Sequence, residues 1–122
     1  MKKVLEFNQY DSAYWNMLER IVLTNKIVID RPKGTNHPKY NNMVYPLDYG
    51  YIEHTVSMDN NGIDIWVGSQ TNKKINGILC VIDPIKNDSE IKILYGCNLK
   101  EIEIIYLFHN ENVQKAIIIE RK

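Results

Sequence analysis

The stretch that decides the fold reads Tyr45-Pro46-Leu47-Asp48-Tyr49-Gly50-Tyr51-Ile52 and resumes after residue 58 as Asp59-Asn60-Asn61-Gly62-Ile63-Asp64-Ile65. It predicts an antiparallel hairpin with strands over 51–57 and 63–67, because the Asn-Gly pair in the turn between them is a strong hairpin signal. In the second strand, Ile63, Ile65 and Val67 alternate with Asp64 and Trp66, so the two sets should face opposite sides of a sheet.

The segments outside this hairpin predict a mixed domain that is mainly β. A helix is expected to begin after Asp11, as its N-cap, and to end at about Leu23, and a second one is expected from an Asn98–Glu101 capping box to about His109. Apolar and β-branched runs predict the remaining strands over 27–29, 75–82, 90–95 and 116–119. The strand at 75–82 is nearly all apolar, as expected of a strand covered on both faces. This order favours an α+β domain built around a small antiparallel barrel.

Length and composition narrow the function classes. The 122 residues fit a single domain over 1–122, and 15 Lys and Arg against 15 Asp and Glu argue against nucleic-acid binding by bulk attraction. No apolar run approaches the roughly 18 residues of a membrane span. The first residues do not resemble a secretory signal, so Cys80 and Cys97 are expected to be reduced core thiols in a cytoplasmic protein.

The long segment 32–50 is aperiodic and contains three prolines, Pro32, Pro38 and Pro46. A loop of this length within one domain is more often functional than not. Its tyrosines at 40, 45 and 49 predict that the loop packs down onto the domain rather than extending into solvent.

Two acidic turns suggest where chemistry lies. Asp59 and Asp64 bracket one predicted turn, and Asp83 and Asp88 bracket the next. Aspartates are common turn residues for purely structural reasons, so each pair alone also has that interpretation. Asp64, however, lies within a strand, where Asp is depleted, and needs a partner. Several carboxylates at one mouth of a barrel suit Mg²⁺ or Mn²⁺.

Several motifs together resemble the soluble, metal-dependent inorganic pyrophosphatases. The similarity covers roughly residues 26–96, and its specific part is the 45–52 motif followed by the Asp59-x-x-x-x-Asp64 hairpin. It is carried by the following segments: Ile29-Asp30-Arg31-Pro32-Lys33-Gly34, Lys39-Tyr40, 45–52, 59–65, and Gly77-Ile78 through Asp83 and Asp88. The resemblance implies an OB-like five-stranded barrel with an N-terminal and a C-terminal helix.

The resemblance also implies an activity, which is Mg²⁺-dependent hydrolysis of pyrophosphate to phosphate, with Mn²⁺ as a possible substitute. In such enzymes carboxylates hold several ions, and two ions share the water that attacks phosphorus. Matched positions imply the following roles: metal binding by Asp30, Asp59, Asp64, Asp83 and Asp88; substrate binding by Lys39, Tyr49 and Lys92; catalysis by Asp59, Asn61 and Tyr49. The expected partners are pyrophosphate or a related phosphorylated small molecule and further copies of the chain, with neither nucleic acid nor membrane.

The chain departs from the family pattern at several positions. Asn61 replaces the acidic residue that orients or deprotonates the attacking water, and Asn41 replaces another acidic residue. A segment with a phosphate-binding arginine is missing after Asn42, Glu90 stands where a lysine is expected unless Lys92 substitutes for it, and the late Tyr-Lys pair has no equivalent.

These departures leave other functions open. One is a homologue that binds metal and phosphate without efficient turnover, and another is a hydrolase of a different phosphorylated substrate. A third is an OB-like nucleic-acid binder in which Tyr40, Tyr45, Tyr49 and Tyr51 stack on bases. The neutral net charge argues against the third.

Overall fold

A mixed six-stranded sheet with two helices forms the frame of the computed structural model, which describes residues 8–121. The elements are α1 (Asp11–Thr24), β1 (Ile27–Arg31), β2 (Asp48–Ile52), β3 (Ile63–Val67), β4 (Ile75–Asp83), β5 (Asp88–Tyr95), α2 (Leu99–Asn110) and β6 (Lys115–Glu120). The strand order is β1-β2-β3-β5-β4-β6. Only β3 and β5 pair in parallel, and the other neighbours are antiparallel.

The expected mainly β, α+β architecture is confirmed, with differences of detail. All six predicted strands join one sheet, which is one strand more than the five-stranded barrel that the resemblance implies, and within residues 8–121 this sheet runs open from β1 to β6 instead of closing. After β3, the connection 68–74 leads to β4, which lies two positions away from β3 in the sheet. Strand β5 then returns between β3 and β4. Strand β5 therefore runs in the same direction as β3, which replaces one of the expected antiparallel pairs with a parallel one.

The hairpin of β2 and β3 forms, but the expected bounds of its first strand are wrong. Strand β2 spans Asp48–Ile52 and not 51–57. Beyond Ile52 the chain turns, with His54 at φ 62°, and the Thr55 hydroxyl accepts a hydrogen bond from the Ile63 amide at 2.8 Å. Because this side chain takes the bond that the next strand residue would offer, pairing stops there. Tyr49 consequently lies on a strand and not in a loop.

The sheet is buried on both faces. Trp66, Leu79 and Leu94 lie in one apolar cluster with Ile105 of α2, whereas Ile65 and Ile93 lie in a second cluster with Trp15 of α1. These alternating positions confirm that β3 presents Ile65 and Trp66 to opposite sides. Strand β4 likewise contributes to both clusters, as its apolar sequence predicts.

The two helices begin differently. Asp11 is the first residue of α1 and follows a short 3₁₀ turn, so the expectation that it caps the helix is wrong. The predicted capping box of α2 is confirmed, because Asn98 Oδ1 accepts from the Glu101 amide and Glu101 Oε1 accepts from the Asn98 amide, both at 2.9 Å. Glu101 also accepts from the Ser69 amide at 3.2 Å, which ties the start of α2 to the end of β3.

The segment 32–47 is packed down. The Tyr45 amide donates to the Thr35 carbonyl and the Gly34 amide donates to the Tyr45 carbonyl, each at 2.9 Å. Tyr45 itself is buried. These bonds hold the segment together, and the packing of Tyr45 against Tyr49 of β2 and Trp66 of β3 places it over the sheet as a wall. Across the described residues, neither helix has the length and apolar character needed to cross a bilayer.

Candidate active site

A cleft of about 650 Å³ opens beneath the 32–47 wall. Its other sides come from β2, β3, β5 and the segment after α2. Most residues singled out from the sequence line it, namely Asp30, Lys39, Tyr49, Asp59, Asn61, Asp64, Asp83 and Lys92. Asp88 is the exception, since it pairs with Asp83 at the start of β5 but does not line the cleft.

Three carboxylates, Asp59, Asp64 and Glu90, converge in this cleft and are called the acidic group below. One oxygen from each lies within 4.8 Å of the others. Asp59 comes from the connection before β3, Asp64 from β3 and Glu90 from β5. Parallel pairing sets Asp64 beside Lys92 on β5, and Glu90 lies two residues earlier on the same face.

Lys92 lies within the acidic group, with a side chain that is only 7% exposed. Its Nζ donates to Tyr49 Oη at 2.6 Å, to Asp64 Oδ2 at 2.7 Å and to Glu90 Oε1 at 3.1 Å. Burial disfavours the ammonium, but these oxygens outweigh burial and hold the pKa of Lys92 above its ordinary value. Lys92 is therefore a fixed positive charge whose three protons are all bonded.

Two other groups around Lys92 respond to burial. Burial raises the pKa of Tyr49, so its phenol stays protonated and keeps its own proton for another acceptor. Burial also raises the pKa of Glu90, against the opposing effect of Lys92. The second oxygen of that carboxylate, Oε2, is buried without a hydrogen-bond partner. Such an atom is costly unless a ligand satisfies it.

Asp59 and Asn61 lie in a tight turn at the cleft mouth. Asp59 Oδ1 accepts from Ser57 Oγ at 2.7 Å and from the Asn61 amide at 3.0 Å. Burial raises the pKa of Asp59, but these hydrogen bonds outweigh it and hold that pKa below its usual range. Asn60, at φ 63°, makes the sharp bend that brings Asp59 and Asn61 to the same edge.

Three cations, Arg31, Lys39 and Lys86, also line the cleft and are called the basic rim below. His37 is close to all three, and burial followed by these cations lowers the pKa of His37. Its Nδ1 accepts from the Lys39 amide at 3.0 Å, so the neutral ring carries its proton on Nε2. The cleft therefore contains both the acidic group and the basic rim.

A buried chain of polar groups supports the floor. Trp66 Nε1 donates to His109 Nε2 at 3.1 Å, which leaves the proton of the neutral ring on Nδ1, 3.3 Å from Gln114 Oε1. Gln114 Nε2 in turn donates to Asp83 Oδ2 at 3.1 Å. Burial, reinforced by Lys92, lowers the pKa of His109 to about 3. His109 is thus neutral and structural, although a histidine in the last turn of a helix would interact favourably with the helix dipole if it were charged.

The structure separates the predicted metal ligands into two sets. Asp59 and Asp64 meet in the acidic group. Asp83 instead accepts the amides of Ile85 and Lys86 within its turn. Asp30 lies on β1, exposed, 3.9 Å from Arg31. The roles assigned to all five carboxylates stay predictions, and geometry favours the first two.

Sequence reasoning missed Glu90 as a member of the acidic group and Arg31 and Lys86 as cationic residues of the cleft. By resemblance Glu90 occupies the position of an expected lysine, and only the pairing of β3 with β5 brings it to the same face as Asp64, two residues before Lys92. Of the four tyrosines proposed to stack on bases, Tyr45 and Tyr49 pack against Trp66, at centroid distances of 5.9 and 4.6 Å.

The donor set fits a divalent metal ion. Three carboxylates offer hard oxygen ligands of the kind that Mg²⁺ and Mn²⁺ prefer. The buried, unpartnered Glu90 Oε2 supplies an oxygen that a cation would satisfy. With Lys92 included, the acidic group carries a formal charge of about −2, which one divalent cation balances.

Comparisons with known proteins agree with this geometry. The family model described as inorganic pyrophosphatase matches residues 8–94. An inorganic pyrophosphatase of Wigglesworthia glossinidia brevipalpis is 37% identical in an alignment that covers 52% of this chain and 44% of that protein. The match therefore spans less than half the length of that relative.

Solved structures show the same fold at low sequence identity. An inorganic pyrophosphatase from Neisseria gonorrhoeae gives a TM-score of 0.58 at 16% identity, covering 73% of this chain and 77% of that one. One from Coxiella burnetii gives 0.55 at 15% identity, covering 77% and 82%. With the family match over most of its length, the chain belongs to the inorganic pyrophosphatase family.

Proposed function

We propose that this protein hydrolyses inorganic pyrophosphate to phosphate with Mg²⁺, or Mn²⁺ in its place, as the required ion. The observation that carries the proposal is a single cleft that is lined by both the acidic group and the basic rim. Pyrophosphate is a small polyanion, and phosphoryl transfer depends on positioning and on neutralising charge. The acidic group supplies the metal-binding half of such a site, and the basic rim supplies the anion-binding half.

The chain's own residues have distinct tasks in this proposal. Asp59, Asp64 and Glu90 would hold the ion, which supplies Lewis acidity and lowers the pKa of bound water. Arg31, Lys39 and Lys86 attract the phosphate oxygens and orient them. The protonated Tyr49 donates a hydrogen bond to one of those oxygens, and Asn61 holds the attacking water by its amide without accepting its proton.

The test is phosphate release by the purified chain with Mg²⁺ or Mn²⁺, supplied with pyrophosphate, tripolyphosphate or a nucleoside triphosphate. We expect release from pyrophosphate, and its abolition by a chelator. Phosphate release from only one of the other compounds would identify that compound, and not pyrophosphate, as the substrate. No phosphate release from any of the three compounds would overturn the enzymatic proposal.

A second candidate function is binding of metal and phosphate without efficient turnover. Asn61 favours it, because a well-placed general base is worth about 10²- to 10⁴-fold and an amide cannot act as one. Tight pyrophosphate binding without phosphate release would distinguish this function from the first. Self-association, a cytoplasmic location and the exclusion of nucleic acid stay predictions, and light scattering of the purified chain tests the first of them.

A further inference from the structure

His37 is a cleft residue whose backbone is held firmly by the 32–47 wall. Its amide donates to the Met43 carbonyl at 2.8 Å, and the Met43 amide donates to the Tyr40 carbonyl at 2.8 Å. The second of these bonds closes a tight turn, and the first joins the two arms that lead into it. His37 is therefore fixed in position where it lines the cleft.

The imidazole ring of His37 is fixed as well. It stacks on the ring of Tyr45 with an interplanar angle of 5° and a centroid distance of 6.0 Å, and its centroid lies 5.0 Å from that of Tyr40. Its Nδ1 accepts from the amides of Lys39 at 3.0 Å and Tyr40 at 3.3 Å. A ring nitrogen that accepts these bonds carries no proton, so the proton of the ring lies on Nε2.

The surroundings of the ring leave this Nε2–H group available to a ligand. Within residues 8–121 it donates to no protein group. The charged groups that act on the ring are Arg31, Lys39 and Lys86, and none of these cations can accept a hydrogen bond. An oriented donor among three cations is best satisfied by an anion that enters the cleft.

We propose that His37 is a substrate-binding residue whose Nε2–H donates a hydrogen bond to a phosphate oxygen of the diphosphate. The proposal rests on the function proposed above and adds a residue to its anion-binding half. Because the ring is neutral, it contributes a hydrogen bond without adding a fourth positive charge to the basic rim. Because the ring is already fixed, little conformational entropy is lost when the ligand binds.

The experiment uses two substitutions that each keep one of the ring nitrogens' functions. In His37→Asn the side-chain oxygen can accept the two amides in place of Nδ1, but the side chain ends short of Nε2. In His37→Gln the longer amide can donate from the position of Nε2, but no acceptor stands in place of Nδ1. Titration calorimetry of the full-length chain with saturating Mn²⁺ measures the Kd of imidodiphosphate, a pyrophosphate analogue that resists hydrolysis.

We expect the Kd of imidodiphosphate to rise about tenfold or more in His37→Asn, the effect of losing a hydrogen bond to a charged oxygen, and to change less than threefold in His37→Gln. The affinity for Mn²⁺ alone should be unchanged in both variants, because His37 is not part of the acidic group. His54→Asn is the matched control, because His54 is 82% exposed, does not line the cleft and has a φ of 62° that Asn tolerates.

An unchanged Kd in a folded His37→Asn chain would overturn the proposal, because His37 would then only hold the turn. An equal loss of affinity in both variants would overturn it too, since damage to the wall would explain both. Circular dichroism reports folding, and if His37→Gln does not fold, the result for His37→Asn decides. Because no turnover is measured, the expected pattern without phosphate release would refute the proposed activity and leave this inference standing.

Discussion

Asn61 is the residue whose chemistry most limits the proposed hydrolysis. It lines the cleft beside Asp59, but its amide cannot take a proton from water. A metal ion can lower the pKa of bound water to about 7 in favourable sites, so a base is useful without being indispensable. The rate is therefore expected to depend on whether position 61 carries a carboxylate.

We expect Asn61→Asp to raise kcat for pyrophosphate at least tenfold, which corresponds to a barrier lower by about 1.4 kcal/mol. Phosphate release at saturating substrate measures it. Asn60→Asp is the matched control, because it adds the same charge one residue earlier, where the side chain is exposed and does not line the cleft. A folded, metal-binding Asn61→Asp chain without any gain would show that something other than the base is limiting.

Asp64 is expected to be a metal ligand. Replacing it by Asn removes one of the three carboxylates and leaves Lys92 with fewer negative partners, so Mn²⁺ affinity should fall by at least tenfold in calorimetry. Asp11→Asn serves as the comparison, because Asp11 is exposed on α1 and does not line the cleft, and the Mn²⁺ affinity of this variant should be unchanged. Equal affinity of a folded Asp64→Asn chain and the unmodified protein would remove Asp64 from the site.

His109 should make stability depend on pH. Its pKa is about 3 in the folded chain and near the ordinary 6.5 when unfolded. The unfolded chain then binds one more proton than the folded chain between these two pH values. The contribution of His109 to the free energy of unfolding is therefore complete above pH 6.5 and is lost as the pH falls towards 3. The loss approaches about 1.4 kcal/mol per pH unit below pH 5.5.

Urea unfolding at several pH values between 4 and 7 measures this dependence. In His109→Gln the slope of the free energy of unfolding against pH should be smaller by the equivalent of about one proton. This holds whatever the substitution itself costs in stability. His54→Gln is the control, because His54 is 82% exposed, and its slope should match that of the unmodified protein. Identical slopes for His109→Gln and the unmodified chain would mean that His109 is not held neutral by folding.

These residues also show which parts of the site a sequence can reveal. Asp59 and Asp64 are five positions apart across a turn, so local spacing is enough to predict that they converge. Glu90 joins them only through the pairing of β3 with β5, which no local pattern encodes. The burial of His109 depends on the packing of α2 against Trp66, whereas its position near a helix end predicts a charge instead.

At the scale of elements, Gly50 fixes how closely β1 approaches β2. A Cβ at this position would overlap the backbone carbonyl of Val28. Gly50→Ala should therefore lower the free energy of unfolding by about 1–3 kcal/mol or more, the cost of overpacking against backbone that cannot move aside. Urea denaturation measures the effect.

Gly34→Ala provides the comparison for that prediction. Gly34 has φ 88° but no atom within 4 Å of an added Cβ, so its substitution tests backbone strain alone, which should cost about 1–2 kcal/mol. A Gly50→Ala chain as stable as the unmodified protein would show that β1 and β2 can separate locally.

The sequence does not predict the bounds of β2, because the Thr55 hydroxyl, and not a recognisable turn motif, ends the strand.

At the scale of the molecule, metal binding should stabilise the fold. The acidic group brings three carboxylates together at a cost that one lysine offsets only in part. A ligand that binds only the folded chain at 100 times its Kd adds about 2.7 kcal/mol to the free energy of unfolding. We expect thermal unfolding to shift upward with Mn²⁺, and the shift to shrink in Asp64→Asn. An unfolding temperature that does not respond to Mn²⁺ would contradict a specific site.

The overall architecture was predictable because hydrophobic periodicity and turn signals are local. The helix with the Asn98–Glu101 capping box and the two-sided burial of β4 follow directly from such signals. The order of the six strands and the open edge do not, because strand order depends on which distant segments pair. A parallel neighbour in particular leaves no mark in either strand.

The parallel pairing of β3 with β5 has a consequence for the order of folding. The β4–β5 hairpin closes across only the residues 84–87, whereas Asp64 and Lys92 lie 28 positions apart. Short loops close first because their entropic cost is smaller. We therefore expect the hairpin to form before it docks on β3, and the cleft to assemble at that late step. Contacts made after the rate-limiting barrier govern how fast a protein unfolds and leave its folding speed almost unchanged. Evolution can thus retune the charges of this cleft with little effect on how quickly the chain reaches its native state.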